Sequence, residues 1–168
     1  MKWTITQLLQ EPNVVFDEDM EIDSKVFEEN PLINGVEDVH VSGSGYLDDE
    51  NDRFYVKLNV TGTMLCPDAI TNEEIGIPLD TESSETYVFS GPIEDDSERV
   101  VTDDVIDILE AVIEDIMLEV PLQVTEAAED EYPTGDGWKV YSEAEYQESR
   151  KDQTDPRLAI LKQFKNEK

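Results

Sequence analysis

Phe54-Tyr55-Val56-Lys57-Leu58-Asn59-Val60-Thr61-Gly62-Thr63-Met64 places apolar side chains at every second position from Phe54 to Val60 and again at Met64. That period belongs to a strand with one face buried and one face wet. Upstream, Val39 and Val41 alternate with polar neighbours, and Asp48-Asp49-Glu50-Asn51-Asp52 supplies a polar turn between the two runs. Residues 36–65 are therefore predicted to form a long β-hairpin. A third strand is predicted at 73–80, where Ile75, Ile77 and Leu79 face one way, and a fourth near Tyr87-Val88-Phe89. Trp3 with Ile5, and Val14-Val15-Phe16, mark two further short strands.

A sheet with one apolar face needs a cover, and the stretch 104–120 offers it. Val105, Leu109, Val112, Ile113, Ile116, Met117 and Val120 gather on one helical face, with Asp107, Glu110, Glu114 and Asp115 opposite. Asp107 with Glu110 fits a capping box, so the helix is predicted over 107–120, ended by Pro121. From Thr125 to Gln153 the chain turns polar and loop-like, with Pro133, Gly135 and Gly137 as breakers. Asp155-Pro156 then opens a short helix through Phe164, with Asp155 at the N-cap and Pro156 at its first position. Leu158, Ile160, Leu161 and Phe164 share one arc of that helix, flanked by Lys162, Gln163 and Lys165. The expected fold is α+β: an antiparallel β-sheet built on the long hairpin, one amphipathic helix packed on it, and a short C-terminal helix. The expected organisation is an acidic domain at 1–124, a polar linker at 125–154 and a basic amphipathic helix at 155–168.

The 168 residues suit one ordinary domain. Val, Ile, Leu and Phe make up 45 of them, about 27%, above the roughly 20% below which a highly charged chain stays disordered. Twelve Lys and Arg face 42 Asp and Glu, a formal net charge of −30. So acidic a chain argues against DNA or RNA held by a broad basic face, and equally against docking on anionic lipid. The charge is unevenly spread. Residues 139–168 hold seven basic and six acidic residues, net +1, and residues 1–138 hold five basic and 36 acidic, net −31. An acidic body carrying a locally basic tail points to a separate interaction element. Residues 1–12 lack the apolar core of a signal peptide, and no apolar run approaches the ~18 residues of a membrane span, so a soluble, reduced, cytoplasmic protein is expected.

Motifs with chemistry are few. Asp48, Glu50 and Asp52 take positions 1, 3 and 5 of a calcium loop, but Arg53 stands where a glycine must turn and Asn59 where a bidentate Glu is needed. A solvated hairpin turn is the better reading. His40, the single histidine, is assigned a surface or strand-pairing role, because the sequence does not identify a nucleophile or a carboxylate placed beside it in space. Ser42-Gly43-Ser44-Gly45 lacks the third glycine and the following helix of a phosphate loop. Cys66 is the single cysteine, and position 69, where a zinc knuckle needs its partner, is Ala69. Cys66 is expected to be a buried structural thiol, with no metal, no cofactor and no enzymatic activity.

Three stretches carry a family resemblance. The opening Met1-Lys2-Trp3-Thr4-Ile5-Thr6-Gln7-Leu8, the helix with its Pro-terminated exit from Ile106 to Leu122, and the ending Asp155-Pro156-Arg157-Leu158-Ala159-Ile160-Leu161-Lys162 resemble the YceD family of large ribosomal RNA subunit accumulation proteins. Many members carry Cys-x-x-Cys after the second hairpin strand; Cys66 matches the first cysteine and Ala69 departs at the second, which speaks against a metal or redox role in this chain. The resemblance implies a non-enzymatic factor of large-subunit biogenesis that supports 23S rRNA accumulation. Joined to the net charge, it makes the chain an acidic adaptor or shield for a basic ribosomal protein or assembly factor. Arg157, Leu158, Leu161, Lys162, Phe164 and Lys165 are the expected partner-binding residues. Two alternatives stand beside this: direct pre-rRNA contact through the basic tail, and an acidic nucleic-acid mimic that inhibits a nucleic-acid-binding protein.

Charge of this size repels itself in the compact state. The melting temperature is expected to rise with added salt, mostly below about 0.2 M, because the screening length is already near 10 Å at about 0.1 M. A melting temperature flat from low salt to about 0.5 M would show the carboxylates to be paired or well spread.

Overall fold

The computed structural model describes residues 1–93, 95, 97–128 and 131–152. Met1–Asp68 with Asn72–Val124 forms one compact unit, and Ala69–Thr71 with the chain from Thr125 onward forms a second. The predicted hairpin dominates the first unit. Its arms are β3 (Gly35–Asp48) and β4 (Arg53–Pro67), preceded by β1 (Lys2–Thr4) and β2 (Asn13–Asp19) and followed by β5 (Glu74–Val88). A five-stranded sheet runs in the order β2-β3-β4-β5-β6, where β6 is Glu98–Val100. Its pairs are antiparallel except β5 with β6, which is parallel. β1 pairs separately with β7 (Val105–Asp107).

The period-two pattern of β4 does what it predicts. Phe54, Val56, Leu58, Val60, Met64 and Cys66 are all buried, and Val39, Val41, Leu47 and Leu79 join them from the flanking strands. Helix α1 (Ile5–Gln10) brings Leu8, and helix α2 (Leu109–Glu119) brings Ala111, Val112 and Ile116 onto the same core. The Ser42-Gly43-Ser44-Gly45 stretch proves to be a packing device. A Cβ on Gly43 would lie 2.7 Å from the Phe16 ring, and one on Gly45 would lie 2.3 Å from the Phe54 ring, so both rings cross β3 where glycine leaves room. Trp3 caps them, 5.4 Å from Phe16 and 6.1 Å from Phe54 between ring centroids.

Several expectations need correction. Ile5 begins α1 and does not continue a strand, because Thr4 and Gln7 form a reciprocal capping box. The strands expected at 73–80 and near 87–89 are one continuous strand, β5. Val105 lies in β7, partly exposed, outside the helix. The capping box at Asp107 is not formed: Ile108 is the N-cap, Asp107 Oδ1 accepts from the Leu109 N–H at 3.1 Å, and its other oxygen pairs with Lys2 at 3.0 Å. Asp115, read as solvent-facing, is buried.

The fate of Asp115 explains β5. Ser83 Oγ donates to Asp115 Oδ2 at 2.6 Å, and Thr81 Oγ1 donates to Glu119 Oε1 at 3.1 Å. Arg99 Nε donates to Glu85 Oε2 at 2.6 Å while its Nη2 holds Glu114. These three rungs form a polar seam between α2 and the inner face of β5. Burial raises the Asp115 carboxyl above its ordinary range, and the Ser83 hydrogen bond pulls it part of the way back. A strand that turns polar on its core side loses the alternation by which strands are recognised.

The second unit also departs from a plain linker. Thr134–Gly135 (β8) and Trp138–Lys139 (β9) pair around Asp136-Gly137, with Gly137 at φ +83°. Glu143–Asp152 forms helix α3, opened by a capping box in which Ser142 Oγ accepts from the Glu145 N–H and Glu145 Oε2 accepts from the Ser142 N–H. The helix predicted at 155–164 lies outside the described residues.

Packing against the sheet singles out Ile116, fully buried, over Ile113, half-buried on the neighbouring arc of α2. Ile116→Ala is expected to cost about 2–5 kcal/mol in denaturant unfolding, and Ile113→Ala roughly half of that or less. Equal losses would show the helix face to be misassigned.

Candidate partner-binding surface

The residues of β4 that point away from the core are the polar half of its alternation, and the ladder places them in rows. Asp19, His40, Thr61 and Asp80 align across β2, β3, β4 and β5. Asp17, Ser42, Asn59 and Glu82 form the next row, followed by Val15, Ser44, Lys57 and Ser84, then Asn13, Tyr46, Tyr55 and Thr86. Within the first unit the helices pack on the opposite face, so these side chains remain exposed or half-buried. Tyr46 and Tyr55, 51% and 43% exposed, stand directly opposite each other, and Val15 is 86% exposed beside them.

Electrostatics on this face favour cations. Asp17, Asp19, Asp80 and Glu82 occupy its two acidic rows against a single lysine, Lys57. His40 sits inside the acidic end. Its Nδ1 lies 2.8 Å from Asp19 Oδ1 and its Nε2 lies 3.1 Å from Asp17 Oδ1. The hydrogen bond to Asp19, with the charges of Asp17 and Asp19, holds the imidazole above its ordinary pKa of 6.5. The strand is bent here: the β3–β4 register shifts between Glu37 and His40, and Asp38 sits in the left-handed region at φ +52°. The surface role expected of His40 thus becomes a specific one, a clamp between two carboxylates of the neighbouring strand.

At the hairpin tip, Asp48 Oδ2 accepts from Asn51 within the turn, and Asp52 Oδ2 accepts from Ser90 just past the end of β5. Arg53 does not turn there but is buried, donating to Glu98 at 2.9 Å and to the carbonyls of Asn51 and Pro92. Cys66 lies on the buried face of β4, and desolvation pushes its thiol pKa up, which favours the neutral thiol. Among the described residues, no group of three or more His, Cys, Asp or Glu is placed to hold a metal ion. No helix among them is long and apolar enough to cross a membrane. Arg157, Leu158, Leu161, Lys162, Phe164 and Lys165 all lie outside the described residues.

Residues 56–165 match the family described as "Large ribosomal RNA subunit accumulation protein YceD". The chain belongs to the YceD family. A relative from Bacillus subtilis (strain 168), named "Uncharacterized protein YlbN", is 35% identical over 172 aligned residues, 98% of this chain and 96% of the relative. No solved structure matches the chain. The family name carries a role in accumulation of the large-subunit ribosomal RNA. The family match begins at Val56, within β4, and runs past α3 to Lys165, so it takes in β5, α2 and the C-terminal segment. The face residues Tyr46, Tyr55, Asp80 and Glu82 were not singled out from the sequence; the signal for them is the polar half of the alternation that identified the strands.

His40 gives this face a pH signature. Because its pKa is raised in the folded state, the ion-pair contribution is fully present below the unfolded value of 6.5 and is lost as pH rises through the folded value. The stability lost in His40→Gln is therefore expected to be larger at about pH 5.5 than at about pH 8.5 in denaturant titrations. An equal loss at both would show the imidazole to be neutral in the folded protein.

Proposed function

We propose that this YceD-family chain is a cytoplasmic, non-enzymatic adaptor of large ribosomal subunit biogenesis. It supports 23S rRNA accumulation by holding a basic ribosomal protein or assembly factor until RNA takes over its counter-charge. The observation that carries this is the open sheet face, where Asp17, Asp19, Asp80 and Glu82 stand beside the exposed Tyr46–Tyr55 pair. Lysine and arginine are drawn to the carboxylates, and arginine also stacks on tyrosine faces, whereas phosphate is repelled from such a surface. Steering by a net charge of −30 makes capture fast and sensitive to salt.

The charge asymmetry of the sequence supports a second element. The basic C-terminal segment, with Arg157, Leu158, Leu161, Lys162, Phe164 and Lys165, is assigned the role of recognising an acidic or RNA-bearing site on the assembling particle. The two ends of the chain would then present opposite charges to different partners.

An affinity pull-down at low and high salt, with RNase treatment of half the sample, tests both. The basic partner is expected to survive RNase, to leave with salt, and to weaken about fivefold or more on Asp80→Lys with Glu82→Lys. Leu161→Asp with Phe164→Asp is expected to spare that partner and to lose association with the particle. A partner that departs with RNase, untouched by the charge reversals, would overturn the adaptor reading in favour of RNA contact.

A further inference from the structure

The sheet has an unfinished edge. β5 pairs with β4 along its whole length, from Glu74 opposite Pro67 to Val88 opposite Arg53, but on its other side β6 pairs only with Thr86, Tyr87 and Val88. Among the described strands none pairs with residues 74–85 on that side. The direction of each peptide group follows from three observations. The Val88 carbonyl accepts from the Val101 N–H on the β6 side, the Phe89 N–H donates to Asp52 on the β4 side, and Pro78, which has no N–H, sits in an unbroken ladder with β4. Even-numbered residues of β5 therefore point their backbone groups outward, and those from Glu74 to Ser84 (Glu74, Gly76, Pro78, Asp80, Glu82 and Ser84) are all exposed.

We propose that this edge binds an extended, Lys/Arg-rich protein segment by strand addition, antiparallel or parallel to β5. The outward N–H groups of Asp80, Glu82 and Ser84 supply the main-chain ladder. Charge selects the occupant. β5 contains four acids, Glu74, Asp80, Glu82 and Glu85, and no Lys, Arg or His. On the outer face an added strand meets Asp80 and Glu82. On the inner face it meets the α2 seam, where Arg99 already holds Glu85 and Glu114 and where Asp115 and Glu119 are in no ion pair among the described residues, so the outer face does most of the selecting. A second copy of this chain is disfavoured, because edge-to-edge pairing would set like charges opposite each other. RNA is disfavoured because phosphate would meet Asp80 and Glu82 on the outer face, with Arg99 on the inner face already engaged by Glu85 and Glu114. The proposal rests on the adaptor reading and gives it a place and a geometry.

The probe is a peptide of about twelve residues alternating Lys and Val, with a control in which Pro replaces Val; both carry the same charge and only the first can complete a ladder. Amide exchange is read by NMR on the full chain. Exchange at Asp80, Glu82 and Ser84 is expected to slow about fivefold or more with the Lys/Val peptide, while Thr81 and Ser83, already paired to β4, change little. Binding is expected to weaken with salt and to fall about tenfold with the proline peptide or with Glu82→Pro. That variant is expected to leave the melting temperature nearly unchanged, since Pro78 already occupies an equivalent position. Equal binding of both peptides, or binding without slowed exchange at the even-numbered amides, would remove the edge and leave the acidic adaptor standing. No binding of the Lys/Val peptide at low salt would overturn the edge, with the pull-down deciding the adaptor separately. Slowed exchange at the same amides without peptide, with dimers in the ultracentrifuge, would overturn it in favour of a second copy.

Discussion

Everything in the first unit depends on β4 burying one face only. It pairs with β3 and β5 over nearly its whole length, and Phe54, Val56, Leu58, Val60 and Met64 all go to the same side. With about 27% Val, Ile, Leu and Phe against 42 acids, the chain has apolar material for one layer and not for two. α1 and α2 cover that layer, and the other face must meet water. An open polar face is thus a consequence of composition before it is a functional surface.

The inner layer also runs short at its rim. Toward β5 the apolar side chains give way to Thr81, Ser83 and Glu85, and α2 answers with Glu119, Asp115 and Glu114. A buried polar atom needs a partner, and the seam pairs the buried Asp115 with Ser83 and the largely buried Glu85 with Arg99 at some cost in desolvation. What the seam contributes is register: Ser83 against Asp115 fixes where along β5 the helix sits, which an apolar contact would leave looser. Arg99 ties the short β6 into the same network, so the closed end of the β5 edge and the helix are held by one guanidinium.

The hairpin, the existence of α2 and the α+β class were legible because each rests on periodicity over ten or more residues. Local pattern carries less elsewhere. The sequence splits β5 in two, since Thr81, Ser83 and Glu85 are polar on the core side for a tertiary reason that no local pattern contains. A helical wheel reads charge as exposure and so puts Asp115 in solvent. α3 has no apolar stripe, although Ser142-Glu143-Ala144-Glu145 is the sequence of a capping box. The candidate face was half legible: the alternation separates Lys57 and Tyr55 from the core, but only the ladder shows that Tyr46 meets Tyr55 and that Asp80 and Glu82 close the acidic rows.

An exposed strand edge is usually an aggregation hazard, and the devices that blunt it are charge and proline. β5 carries both, yet its acids and Pro78 do not close the edge; they restrict what may complete it. Carboxylates on the exposed side chains of the same residues that point their N–H groups outward repel another copy of β5 and any anionic polymer, while they favour a cationic strand. On the proposed reading, resistance to self-pairing and selection of a basic partner come from one arrangement of residues. An edge strand with an apolar outer face could not combine them, because the contacts that held the partner would equally hold another copy of itself.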